Sequence, residues 1–110
     1  MSDIYRGGTL IVPLEQIKID GNNYIFQEGD KIIFAIKAYS DDCEAILKKE
    51  ASPKAGEASV QVVFTAEDTE KLTGKNYVLQ ADLINSSGVF PMPLDKLNVI
   101  GCAIKSEEGG

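Results

Sequence analysis

Short alternating runs of apolar and polar residues dominate this chain. In Lys31–Lys37, Ile32, Phe34 and Ile36 share one face, and Lys31, Ile33, Ala35 and Lys37 the other; this is the clearest candidate for a central strand. In Ser59–Thr65, Val60, Val62 and Phe64 alternate with Gln61 and Val63. From Tyr77 to Ile84, Tyr77, Leu79, Ala81 and Leu83 face one way, and Val78, Gln80 and Asp82 the other. Weaker runs are Thr9–Leu14, which Pro13 ends or confines to a sheet edge, and Gln16–Asp20, followed by a turn at Asn22-Asn23 and a brief segment bearing Tyr24 and Phe26. Glu44–Lys49 is assigned to an edge strand, Val89–Pro93 to a short strand limited by proline, and Leu97–Lys105 to the last strand. Ser106–Gly110 reads as a frayed tail.

Loop signals punctuate these runs: Asp20-Gly21-Asn22-Asn23, Glu28-Gly29-Asp30, Pro53-Lys54-Ala55-Gly56 and Ser86-Ser87-Gly88. One stretch interrupts the pattern. Thr65 reads as a helix N-cap with Asp68 three residues on, Leu72 as an inward anchor, and Gly74 as a left-handed stop. Tyr77 follows at the spacing of a tyrosine corner, in which the ring packs at the core edge and the hydroxyl bonds to backbone just upstream. Leu72, Gly74 and Tyr77 are therefore the expected structural corner. The spacing predicts an all-β fold, an immunoglobulin-like or fibronectin-like β-sandwich of seven to nine short strands with one helical turn. The chain lacks tryptophan and has no cysteine pair at antibody-domain spacing.

Length and composition narrow the function. The 110 residues suit one domain, 1–110, and 44% of them are hydrophobic. A net charge of −6 disfavours nucleic acid, and no apolar run approaches a membrane span. The first residues have no secretory-signal pattern, so synthesis in the cytoplasm is expected. With no histidine, imidazole cannot serve as a base or a zinc ligand. Cys43 and Cys102 are expected as free thiols.

The remaining candidate chemistry has simpler explanations. Asp41, Asp42 and Glu44, and Glu67, Asp68 and Glu70, are adjacent carboxylates on turns, which cannot be held across a cleft as glycoside hydrolysis requires. Asp20, Asn22, Asp30, Asp41 and Asp42 offer hard oxygen ligands for calcium but lack an EF-hand pattern. Ser86 and Ser87 have no general base. Tyr5, Tyr24 and Tyr39 could stack on sugars, yet aromatics make up only 7% of the chain, too few for an evident platform. No catalytic, metal or cofactor site is assigned. Ile33, Ala35 and Val78, apolar on the outward face of two strands, are the candidate interface.

The stretches Glu28–Lys37, Phe64–Leu72 and Gly74–Leu83 together resemble small phage and prophage virion proteins of Gram-positive bacteria, immunoglobulin-like sandwiches similar in layout to the baseplate upper protein N-terminal domain. Leu79 stands where that family has a second tyrosine, and Asp82 lies one place from the family's aspartate. The resemblance implies a non-enzymatic tail, baseplate or head-decoration component that joins the particle after synthesis and contacts other virion subunits or itself. A carbohydrate-binding module is the alternative, with a glycan the less favoured partner.

Overall fold

A computed structural model describes residues 2–104. The fold is all-β. Among the described residues nine strands run in chain order as β1 (Ser2–Arg6), β2 (Leu10–Leu14), β3 (Lys18–Ile19), β4 (Asn22–Asn23), β5 (Lys31–Lys37), β6 (Leu47–Ala51), β7 (Val60–Phe64), β8 (Asn76–Asn85) and β9 (Gly88–Cys102). A single-turn helix, α1 (Ala66–Thr69), lies between β7 and β8. Five strands form one sheet in the order β1-β9-β8-β5-β6, while β2 pairs with β7 and β3 with β4 in two small ladders. All neighbours are antiparallel except β1 and β9, which run parallel.

The strongest sequence patterns make the core. β5 has the expected bounds and is flanked by β6 and β8; Ile32, Phe34 and Ile36 are completely buried. Tyr77, Leu79, Ala81 and Leu83 on β8 join them, and Val12, Leu14, Val62 and Phe64 of the β2–β7 ladder complete the same apolar cluster. The five-stranded sheet is thus one layer, and the two-stranded ladder lies across its inner face.

The weaker patterns needed correction. The turn expected at Asn22-Asn23 lies instead at Asp20-Gly21, where both residues have positive φ (52° and 80°), and Asn22-Asn23 are themselves β4. Gln16, at φ 31°, keeps the preceding strand down to Lys18–Ile19. Phe26 is in no strand; its backbone bonds to Gly56 and Glu57 across a loop. β6 starts at Leu47, later than expected. The two segments expected at 89–93 and 97–105 are one strand, β9, with a register shift opposite Leu79 and Gln80. The pairing of β1 with β9 had no expectation behind it. The tail proposed at 106–110 lies outside the described residues.

Phe34→Ala should lower stability by about 3–5 kcal/mol, and Val63→Ala, on the outer face of β7, by less than about 0.5 kcal/mol. Urea denaturation of the two variants checks this contrast.

Candidate interaction surface and the corner that supports it

At the corner, Thr65 caps α1: its hydroxyl accepts from the Asp68 N–H, and the Asp68 carboxylate accepts from the Thr65 N–H at 2.8 Å. The Lys49 ammonium sits 2.9 Å from the same carboxylate and, with the Thr65 N–H, holds the Asp68 carboxyl below its ordinary value. Leu72 is fully buried. The Gly74 N–H donates to the Tyr77 hydroxyl at 2.5 Å, while the Tyr77 ring, 6% exposed, packs in the core. The corner expected from Leu72, Gly74 and Tyr77 is therefore assembled.

The reason for glycine at position 74 differs from expectation. Gly74 is not among the residues with positive φ. A Cβ there would lie 2.9 Å from the Tyr77 hydroxyl oxygen, so the glycine is required by the close approach of the ring.

Two residues that the pattern did not single out tie β1 to this corner. The Arg6 guanidinium donates to the Leu72 carbonyl at 2.8 Å and to the Thr73 carbonyl at 3.1 Å. The buried Thr69 hydroxyl accepts from the Gly7 N–H at 3.0 Å and donates to the Gly8 carbonyl at 2.7 Å.

The outward face of the five-stranded sheet holds the candidate interface. Register sets Ile33 beside Asp82, Ala35 beside Gln80, and Lys37 beside Val78. Ile33 and Ala35 share one concavity of about 660 Å3, whereas Val78 lines a second of about 380 Å3 with Pro93, Leu94 and Lys96. The three residues share a sheet face, but a polar bridge between Lys37 and Gln80 divides them. Ile84 pairs with Val89, and Pro91 and Pro93 stand opposite Asp82 and Gln80, which extends the apolar share of this face to β9.

Lys37 occupies an outward position yet is only 6% exposed, because the loop at 38–46 folds over it. Its ammonium donates to the carbonyls of Ser40 and Asp42, each at 2.9 Å, and to Gln80 Oε1 at 2.7 Å. Gln80 in turn donates to Asp82 Oδ1 at 2.8 Å. A buried ammonium requires such acceptors, and here they fix the loop.

A third concavity, of about 530 Å3, opens between the turn at 27–30 and the β8–β9 hairpin, with Tyr24 and Phe90 in its wall. Asp30, 5% exposed, accepts from the Tyr24 hydroxyl at 2.7 Å, the Gln27 N–H at 2.8 Å and the Asn85 amide at 3.1 Å. Burial alone would raise the Asp30 carboxyl; the Gln27, Tyr24 and Asn85 hydrogen bonds outweigh it and hold the group below its ordinary value. Burial, then the Asp30 carboxylate, raises the Tyr24 phenol.

The other candidate ligands are dispersed. Asp42 accepts from the Tyr39 N–H, and Asp20 lies at its own turn. Among the described residues no three acidic or cysteine side chains come together as a metal site, and no helix is long and apolar enough to cross a membrane. Cys43 and Cys102 are free and exposed, with Arg6 Nη1 3.4 Å from the Cys102 sulfur. Comparison with protein-family models, curated proteins and solved structures gives no match.

Two outcomes follow. Tyr77→Phe should cost about 1 kcal/mol and Gly74→Ala more; the double variant should cost less than the sum, because removing the hydroxyl relieves the close contact. Chemical denaturation of the four proteins of the cycle measures this coupling. For Asp30 the folded-state pKa is depressed, so its contribution to stability is present above the unfolded value of about 3.9 and is lost as pH falls through the lower folded value. Asp30→Asn should flatten the acid limb of melting temperature against pH; an unchanged limb contradicts that role.

Proposed function

We propose that this domain is a non-enzymatic structural or attachment component of a phage-type particle, working through protein–protein contacts with other virion subunits or with its own copies. The observation that carries this reading is the outward face of the five-stranded sheet. Ile33, Ala35, Val78 and Ile84 are half-buried there, and Val89 is 57% exposed, around a polar centre of Gln80 and Asp82. An apolar surface with a few placed polar groups is suited to a protein partner. The two most buried charged groups, Lys37 and Asp30, spend their hydrogen bonds on holding loops.

An immunoglobulin-like layering belongs to the same reading, supported by the tyrosine corner and by a small ladder lying over a larger sheet. Synthesis in the cytoplasm followed by incorporation into the particle is the corresponding localisation. Carbohydrate binding has less support: in the concavity walled by Tyr24 and Phe90, the Asp30, Asn85 and Tyr24 polar groups already bond one another.

The test is mass spectrometry of purified phage-type particles from producing cells, with wild type and Ile33→Lys compared. Wild type should be present, and the variant, melting like wild type, should be depleted by about tenfold. Absence of the wild-type protein from such particles, or equal incorporation of the variant, overturns the proposal.

A further inference from the structure

The prolines of β9 lie on a sheet edge. β1 pairs with β9 only from Leu97 onward, so among the described residues nothing pairs with Val89–Pro93 on the side away from β8. The two-residue loop Ser86-Ser87 closes the β8–β9 hairpin and makes Asn85 and Gly88 a hydrogen-bonded pair. Alternation from there directs the backbone polar groups of Phe90 and Met92 toward β8. Those of Val89, Pro91 and Pro93 point to the open side. Two of these three positions therefore have no N–H to offer.

This edge needs protection. From Gly88 to Leu94 there is no charge, and Val89, Phe90, Met92 and Leu94 are all apolar. A segment of that composition on an open edge is a template for strand addition. The outer strand β6 is guarded differently, by Lys48, Lys49 and Glu50. The edge of β2 away from β7 has the same solution as β9, since Pro13 lies within that strand.

We infer that Pro91 and Pro93 act as gatekeepers that keep β9 from pairing with the β9 of a second copy. Antiparallel pairing about a two-fold axis near Pro91 would set the uncharged segment Gly88–Leu94 against itself, and the two missing N–H groups and the proline rings oppose it. The inference concerns the backbone edge of β9, although the rings of Pro91 and Pro93 also belong to the outward face proposed above.

The experiment compares wild type with Pro91→Thr/Pro93→Thr, with Pro91→Lys/Pro93→Lys, and with Pro53→Thr as a loop control. Sedimentation velocity reads association, and hydrogen exchange of the Val89 amide reads edge pairing. The threonine pair should self-associate about tenfold or more tightly than wild type and should slow exchange at Val89 by a similar factor. The lysine pair, in which charge replaces proline as the guard, and the Pro53 variant should keep the fast exchange at Val89 of wild type. If the threonine pair does not fold, Pro93→Thr alone is read in the same way. A folded threonine variant with fast, wild-type exchange at Val89 overturns the inference, as does equally slowed exchange at Val89 in the lysine pair. Sedimentation also registers outward-face contacts altered at the two substituted prolines, so the Val89 amide, which reports on the edge, separates the two surfaces.

Discussion

The contact between the Gly74 N–H and the Tyr77 hydroxyl is the constraint on which the rest of the structure depends. It sits where the chain leaves β7, in the small ladder, and enters β8, in the larger sheet. The phenol ring can reach the backbone only because position 74 has no side chain. The capping box of Thr65 and Asp68 fixes the start of the same bend, and Leu72 anchors it in the core. Arg6 and Thr69 then bring the β1–β2 connection to the bend, so that two of the crossings between the layers meet at one place. Loss of the bend would also free the Arg6 end of β1, which is held by the carbonyls of Leu72 and Thr73.

The surfaces follow from this frame. Two loops are fixed by buried charged groups, the one at 38–46 by Lys37 and the one at 27–30 by Asp30, and both expose little of those groups to a ligand. Prolines blunt the open sides of β2 and β9, and charges guard β6. The surface on which the proposed role rests is the outward face of the larger sheet, apolar at Ile33, Ala35, Ile84 and Val89 and polar at Gln80 and Asp82. The proposed role as a particle component rests on that remainder together with the resemblance of the strand and corner segments to virion sandwiches.

How much of this was legible depended on how strongly local pattern determines each element. Lys31–Lys37 and the strand opened by Tyr77 were legible because every second residue is a large apolar one and both are central. The cap at Thr65 and Asp68 was legible because capping chemistry is local. β9 reads in the sequence as two strands because proline commonly ends a strand, although on an open edge a missing N–H costs no ladder bond. β1 is not legible because it buries little beyond Ile4 and owes its place to its ladder with β9 and to Arg6 and Thr69, all contacts between residues far apart in sequence. Gly74 was assigned correctly to the corner for the wrong reason, since ring proximity is a tertiary fact. Of the candidate interface, the outward face was legible from alternation. The separation of Val78 from Ile33 and Ala35 depended on the loop that Lys37 folds over the sheet, which no periodicity reports.

The most direct test of the central claim is native-state hydrogen exchange at the Gly74 amide. Gly74 is an exposed residue, so without the Tyr77 hydroxyl its N–H would exchange with solvent as freely as a loop amide. The account predicts protection close to that of the β5 and β8 core amides, with exchange only through global unfolding. Rapid exchange at Gly74, with the core amides still protected, contradicts it.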